Sequence, residues 1–364
     1  MTGPDTTTEE PLRLTVAVPT FHRPASVPVT VRAVLSRVRE VLAQEPEGTR
    51  VRLLVVDNDV AGSGVRALTA AGLGPAQVDG VDVRVVVEPA PGLAAVRNRV
   101  LDECREEDLL VFVDDDEVPA PGWLAALVRT WRGTGAAAVA GHVVPRYAEP
   151  PGEWIEAGGF FRRRSFPTGT CRPAAGGGNL LLDLRVLRRL GLRFDEDFGA
   201  TGGEDTLLTR TLVAAGGSVV WCAEAVCEDV VPPERLSRSW VLQRARSHAT
   251  TSVRVDLVLA GRPPGAPGGS GWPGHGARGL RVRAQALAGG AVRALVGAAR
   301  AGRGRLTGSV TDQARGARLR ERGIGLVSGS LGAHGHRAYG DGKDGSPART
   351  STRTSTRTRR RPGP

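Results

Sequence analysis

Four short apolar runs, at 13–18, 51–56, 83–87 and 109–113, recur along the first third of this chain. Helix-compatible stretches at roughly 25–44, 63–72 and 92–105 separate them. A brief Val- and Leu-rich run bounded by polar residues reads as a strand buried on both faces. Strands alternating with helices at this spacing predict an α/β fold built on an open, mostly parallel sheet flanked by helices. Ligands of such sheets sit beyond the carboxyl ends of the strands. The residues found there are Pro19, Thr20, Phe21, His22 and Arg23, then Asp57, Asn58 and Asp59, then Glu88 and Pro89, and finally Asp114 to Glu117. Polar and acidic groups from separate strands thus converge on one edge.

The last of these groups carries the most chemistry. Asp114, Asp115, Asp116 and Glu117 follow directly on Leu109-Leu110-Val111-Phe112-Val113. Crowded carboxylates repel one another and lose solvation, so a fold that gathers them offsets the cost with a cation. Hard oxygen ligands suit Mg2+ or Mn2+, and Mg2+ binds through one or two carboxylates completed by substrate phosphates. The strand edge is therefore expected to be a metal–phosphate site. A solvated acidic loop is the plainer reading of the same residues.

Charge is distributed unevenly over the 364 residues. The formal net charge is +11, but residues 261–364 carry 20 basic against 4 acidic side chains, a balance of +16. Residues 1–260 carry 29 against 34, a balance of −5. Lys343 is the only lysine, so the basic character is almost wholly arginine, a skew that reads as coding bias. No nucleic-acid partner is expected. Residues 1–12 are polar and acidic without an apolar h-region, so no secretory signal is expected. No run approaches the ~18 apolar residues of a membrane span. Cys104, Cys171, Cys222 and Cys227 lack zinc-site spacing and read as reduced thiols of a cytoplasmic protein.

Further along, Pro121-Gly122-Trp123 opens a helix with Trp123 on its core face, and 136–144 reads as a strand. Residues 147–170 read as a mobile loop, and Gly176-Gly177-Gly178 as a glycine turn into the short strand Asn179-Leu180-Leu181-Leu182. Gly202 and Gly203 precede Glu204 and Asp205 at the start of a helix, where acidic side chains also suit the dipole. Residues 218–222 read as a strand and 233–250 as a helix carrying Arg235, Arg238, Trp240, Arg244, Arg246 and His248. His22 and His248 have no second histidine or cysteine at ligand spacing, although His248 could supply a phosphate contact. Trp154 and Trp240 could stack on a sugar face. Residues 278–300 are helix-compatible, with leucines loosely on one side and arginines on the other. Such a segment can lie on an anionic membrane surface or dock on the body as an ordinary helix.

In order along residues 13–250, these motifs resemble family 2 glycosyltransferases of the GT-A fold, particularly the bacterial exopolysaccharide (succinoglycan-type) glucosyltransferases. The matching stretches are Val18-Pro19-Thr20-Phe21-His22-Arg23-Pro24, Val55-Val56-Asp57-Asn58-Asp59, Gly92-Leu93-Ala94-Ala95-Val96-Arg97-Asn98, Phe112 through Glu117 with Pro121-Gly122-Trp123-Leu124, Gly177-Gly178-Asn179 and Gly202-Gly203-Glu204-Asp205-Thr206. The resemblance implies a nucleotide-diphosphate-sugar donor, UDP-hexose above all, and a divalent metal. It maps Asp57 to the acid that contacts the nucleobase, and Asp114-Asp115-Asp116 to the DXD motif. Asp115 would lie near the ribose, and Asp116 with Asp114 would bind the metal. Pro19, Thr20, Phe21, Arg23 and Arg97 complete the donor-binding set. Asp205, paired with Glu204, corresponds to the catalytic base, and Gly202, Gly203 and Trp240 would meet the acceptor.

The implied organisation is a disordered N-terminus at 1–12 and a GT-A domain at 13–255, whose 13–118 half binds nucleotide sugar and whose 119–255 half binds acceptor. A linker at 256–278, a basic helical extension at 279–335 and a disordered tail at 336–364 would follow. The processive synthases carry Gln-x-x-Arg-Trp on a later helix, and the nearest run here is Arg238-Ser239-Trp240-Val241-Leu242-Gln243-Arg244. That departure favours transfer of single sugars. The expected reaction is an inverting displacement onto a glycan or lipid-linked acceptor in cell-surface polysaccharide synthesis. The basic extension would touch the anionic inner leaflet of the plasma membrane. A metal-dependent nucleotidyltransferase or a non-catalytic nucleotide-sugar-binding partner would use similar strand-end carboxylates. The former would want an early Gly-rich loop with a lysine, where Pro19-Thr20-Phe21 stands instead.

Overall fold

The computed structural model describes residues 10–261 and 276–333. Of the disorder expected at 1–12 and 336–364, residues 1–9 and the whole tail lie outside the described residues, as does most of the linker expected at 256–278, while Leu12 is buried just ahead of the first strand. The four apolar runs form β1 (Arg13–Thr20), β2 (Arg50–Asp57), β4 (Val81–Val87) and β5 (Leu109–Val113), with the short β3 (Ala76–Val78) on the outer edge. Between them run α1 (Val27–Leu42), α2 (Ser63–Ala70) and α3 (Leu93–Glu103). The second half adds β6 (Glu117–Pro119), α4 (Trp123–Thr134), β7 (Ala138–Tyr147), α5 (Glu153–Gly158), β8 (Asn179–Asp183), α6 (Leu184–Arg189), α7 (Glu204–Ala214) and β9 (Val219–Val231). The nine strands make one sheet in the order β3-β4-β2-β1-β5-β8-β7-β9-β6.

The N-terminal half of the sheet is parallel: β4, β2, β1 and β5 pair in one direction. Beyond β5 it is mixed, because β8 runs antiparallel to both β5 and β7, while β7 and β9 are parallel. Alternation along the central strands explains why they bury both faces. Val16 and Val18, Leu53 and Val55, and Leu109, Val111 and Val113 meet α1, α2 and α4 in one core. Ala17, Leu54, Val56, Leu110 and Phe112 point to the other face and pack with α3, α6 and α7. Fully burying each Val or Leu contributes about 1.5–3 kcal/mol. Trp123 closes the first core, its indole N–H donating to Asn179 Oδ1 at 2.9 Å.

Three segments differ from the sequence reading. The stretch expected as a mobile loop at 147–170 contains α5. The helix expected from 233 begins as a 3-10 turn, Pro233–Leu236, because Pro232 and Pro233 hold the chain extended before the α-helix can start. The helix proper, α8 (Arg238–Gly261), then continues past 250 to take in the first residues of the expected linker. Glu117, expected among the open carboxylates, begins a strand and is buried, since its backbone pairs with Asp229 on β9.

After α8, α9 (Ala277–Thr307) and α10 (Val310–Ser330) form a hairpin whose interface is a stripe of glycines. A Cβ on Gly297 would lie 2.4 Å from the Arg320 backbone nitrogen, and one on Gly316 equally close to the Ala301 nitrogen. α10 docks on α8 by the same device, a Cβ on Gly325 falling 2.3 Å from the Arg246 carbonyl oxygen. Small side chains bring the helix axes close and spend the inward faces on backbone contact. The large side chains of α9 are therefore turned out: Leu280, Leu287, Val292, Leu295, Val296 and Leu306 are all exposed. No helix among the described residues is long and apolar enough to cross a membrane.

Candidate active site

The carboxyl ends of β1, β2 and β5 meet at the β5–β6 turn that carries the three aspartates. Thr20, the last residue of β1, donates its hydroxyl to Asp115 Oδ2 at 2.7 Å, and Thr30 of α1 holds the Asp115 carbonyl at 3.0 Å. Asp116 faces two arginines instead. Arg235, on the 3-10 turn before α8, lies 2.8 Å from Asp116 Oδ2, and Arg23, after β1, lies 3.6 Å from it. Several arginines could have served here by sequence, and the fold selects these two. Asp114 turns toward α3, where Arg97 Nη2 approaches to 3.8 Å.

Arg97 is the hinge of the site. It is 2% exposed on α3, with its guanidinium against the edge-to-face pair of Phe112 and Phe194, 5.6 and 5.7 Å from their centroids. The same guanidinium hydrogen-bonds Glu204 and reaches within 3.8 Å of Asp205. One buried cation therefore joins the β5–β6 turn to the start of α7. Room for it comes from glycine: a Cβ on Gly177 would lie 2.4 Å from Arg97 Nη2, and one on Gly178 would lie 2.6 Å from Asp114 Oδ2 and 2.7 Å from Glu117 Oε1. The glycine turn read as a flexible lead into a strand is a packed cradle under the carboxylates.

Glu204 and Asp205 open α7 after two glycines in left-handed backbone, Gly202 at φ 74° and Gly203 at φ 100°. Only glycine adopts this pair of conformations without strain, and a Cβ on Gly203 would strike Thr251 of α8. The two acids diverge. Glu204 is buried, with Oε2 lacking a partner among the described residues. Burial, reinforced by neighbouring Asp205 and opposed by Arg97, pushes its carboxyl up to about 7. Asp205 keeps part of its side chain open, its Oδ2 accepting the Gly177 N–H at 2.8 Å and its Oδ1 the Thr206 N–H at 2.5 Å.

Burial raises the other carboxylates too. Asp115 is pushed up to about 7 by desolvation and by Asp116, with the Thr20 hydroxyl opposing. Desolvation raises Asp114 against the pull of Arg97, and raises Glu117 well above the usual carboxylate range with Asp114 adding to it. Glu117 Oε2 has no hydrogen-bond partner among the described residues. Buried acids held this way favour a cation. Among the described residues no group of three or more His, Cys, Asp or Glu side chains is placed to hold a metal ion. Asp114 and Asp116 instead face separate arginines, Arg97 for the first and Arg23 with Arg235 for the second.

The remaining residues of the expected set divide. Pro19 and Thr20 are buried at the end of β1, and Phe21 packs at a 56° tilt against His22, whose φ is 52° and whose Nδ1 lies 3.6 Å from Asp59. Asp57 is brought to the sheet edge but is fully buried. Its Oδ2 accepts the N–H groups of Gly64 and Val65 at 2.8 and 3.1 Å, and its Oδ1 that of Asp59 at 3.0 Å. Asn58 and Asn98 are loop staples: Asn58 ties the Glu88 and Ala90 carbonyls to the Gly92 N–H, and Asn98 clasps both backbone groups of Phe194. Trp240 is stacked on Phe161 at 6.0 Å and carries the Arg235 guanidinium 5.7 Å from its ring centroid, so one arginine separates it from Asp116. Sequence reasoning did not single out Arg163, which lies 2.9 Å from Asp229 beside Glu117, because nothing distinguishes it within Arg162-Arg163-Arg164. All four cysteines are free, with Cys222 and Cys227 buried.

Residues 15–191 match the model of the family described as glycosyl transferase family 2. The succinoglycan biosynthesis protein ExoM of Rhizobium meliloti (strain 1021) is 34% identical over 253 residues, spanning 68% of this chain and 76% of that protein. The chain belongs to glycosyl transferase family 2. It is thus a glycosyltransferase, and its fold agrees with solved members of the GT-A class. A mannosyltransferase from Pyrobaculum calidifontis, solved with GDP-Man and Mn2+, superposes with a TM-score of 0.53 at 20% identity, over 87% of each chain. GalNAc-T7, solved with UDP, GalNAc and Mn2+, gives 0.50 at 15% identity, over 69% of this chain and about half (48%) of its own length. In this family 2 enzyme the arginine bridge lies between the two acidic clusters that the ordered motifs picked out.

Proposed function

We propose that this glycosyltransferase moves a single hexose from a UDP-hexose to a glycan or lipid-linked acceptor in exopolysaccharide assembly, with inversion at the anomeric carbon. The observation that carries the reading is the single guanidinium of Arg97, within 3.8 Å of both Asp114 and Asp205. The proposed metal-side carboxylate and the candidate base thereby lie around one guanidinium although they are remote in sequence.

Asp116 and Asp114 would hold Mg2+ or Mn2+, which when bound offsets the charge gathering on the departing diphosphate. Arg23 and Arg235, already on Asp116, add positive charge at the same end. Thr20 orients Asp115 toward the ribose. Asp57 braces α2 under the base pocket, so its contribution to nucleobase binding is positional. Asp205 accepts the proton of the acceptor hydroxyl while that oxygen bonds to the anomeric carbon. The anomeric C–O bond to phosphate breaks with its electron pair leaving on the diphosphate, which inverts the centre. Glu204, clamped by Arg97, sets the angle of Asp205 and Gly202-Gly203 set its height above the Gly177 N–H.

ExoM's name ties it to succinoglycan biosynthesis, which supports an exopolysaccharide role here. The exposed apolar row on α9 and its seven arginines, with no acidic residue on that helix, support contact with an anionic inner-leaflet membrane. The deciding measurement is turnover and binding of a nucleotide-sugar panel with and without Mn2+. The reading fails if no nucleotide sugar binds, or if turnover is indifferent to chelation.

A further inference from the structure

A cleft of about 330 Å³ opens between α8, the segment after α5 and the α9–α10 hairpin. Arg244, His248, Arg293, Arg318 and Arg322 form its polar wall, and no Asp or Glu lines it. Two of these arginines are held by neutral oxygens. Arg318 donates to the Gly158 and Gly159 carbonyls at 3.1 and 2.7 Å, and Arg293 to the Gly289 carbonyl at 3.0 Å. Such bonds fix the side chains without cancelling their charge. Elsewhere the same helices do match arginine with acid, as in Arg246 with Glu321 and Arg300 with Asp312. The gathered positive charge is felt inside the cleft. Burial and Arg322 draw Arg318 below its ordinary value, and burial with Arg244 draws His248 down to about 4.

Guanidinium groups gathered without carboxylates make a site for phosphate oxygens, to which their planar forks are matched. Aromatic rings line the cleft beside the arginines: Phe161 lies 10° from parallel to Trp240, and Arg244 packs 5.1 Å from the Trp240 centroid. The cleft also faces the reaction centre. Thr251, on the same helix as His248 and one turn further on, is the residue that packs over Gly203 beside Asp205. The charge of Asp205 reaches His248.

We infer that this cleft binds the phosphate or diphosphate through which the acceptor is carried, with its sugar extending along Trp240 and Phe161 to Asp205. The inference rests on the transferase reading for its place in the reaction, but the binding itself can be tested alone. The C-terminal hairpin is then a part of the active site, because it supplies Arg293, Arg318 and Arg322. A phosphate of this kind could belong to a prenyl-type lipid diphosphate or to a membrane headgroup, and the experiment separates them.

The full chain is titrated calorimetrically with farnesyl diphosphate, with inorganic diphosphate, and with phosphatidylcholine vesicles with or without phosphatidylglycerol. UDP with Mn2+ is titrated separately. Saturable binding of farnesyl diphosphate is expected, with inorganic diphosphate competing. Arg293→Gln with Arg322→Gln should weaken it by about tenfold per arginine, and Arg322→Lys should recover part of the loss. Arg318→Gln provides a second variant should the first lose its fold. UDP affinity should stay unchanged throughout. Unaltered farnesyl diphosphate affinity in the folded variants, or binding only to phosphatidylglycerol vesicles, overturns the inference. Failure of wild type to bind UDP would defeat the donor reading instead and leave the cleft result standing.

Discussion

Arg97 shows how one side chain can carry several structural duties at once. It is buried against two phenylalanines, yet three carboxylates lie around its guanidinium. Removing a buried charge partner leaves the others uncompensated, which costs about 3–5 kcal/mol. Asp205 is the group whose loss should separate binding from turnover. Asp205→Asn keeps the shape and the Gly177 N–H contact but removes the proton acceptor. Transfer should fall by about 10²–10⁴-fold while nucleotide affinity measured by calorimetry stays the same. Glu204 has a different signature. Its folded carboxyl sits near 7, above the ordinary 4.5. Its contribution to stability is therefore complete below about pH 4.5 and is lost as pH rises through 7. That loss is on the order of 3 kcal/mol. Glu204→Gln should flatten the pH dependence of urea unfolding between these limits, and an unchanged slope would show that Glu204 is not its source.

Among the elements, the two glycine turns decide whether the site can assemble. The chain reverses into β8 at Gly177 and Gly178, and both positions lie where a side chain would meet the functional groups. Gly178→Ala would set a methyl group 2.6 Å from Asp114 Oδ2. Overpacking of this kind costs about 1–3 kcal/mol, and here it is exerted on the metal-side acids. Mn2+-dependent UDP binding should weaken more than the thermal midpoint falls. Gly203→Ala combines a φ of 100° with a Cβ 2.4 Å from Thr251 Cγ2. It should lower stability by about 1–3 kcal/mol in chemical unfolding and reduce turnover with it, because α7 and α8 can no longer meet beside Asp205. Helix and strand placement followed from period and composition, since apolar spacing is local information. The hydrogen-bond partners of Asp57, Asn58 and Asn98 did not follow, because a polar residue at a strand end or on a helix looks the same in sequence whichever distant backbone groups it meets.

Over the whole molecule, the C-terminal hairpin changes what the catalytic body can reach. Glycine-lined contacts on both sides of α10 hold the hairpin against α8 and leave the outer row of α9 exposed. Leu287→Glu with Leu295→Glu should reduce partition onto phosphatidylglycerol vesicles in flotation assays while donor hydrolysis in solution is retained. Equal flotation of the variant and wild type would remove the membrane from the account. Hairpin packing is sensitive in a different way. Gly297→Val would force the helices apart at the Arg320 backbone and should open the arginine-lined cleft as well as lower the melting temperature.

Much of this enzyme was legible before any coordinates. Buried strands, the strand-end acids and the ordered motifs depend on short stretches of chain, where side-chain period and local charge are set by neighbours in sequence. Family membership rests on the same local patterns. The partners that each acid meets are long-range facts. Asp116 finds Arg235, Asp114 and Asp205 find Arg97, and the cleft draws arginines from α8, α9 and α10, because sheet order and helix docking bring distant segments within hydrogen-bonding distance. In a chain whose basic residues are nearly all arginine, composition marks none of them out; only burial and the nearness of a carboxylate, or the lack of one, distinguishes an anchor from a binding group.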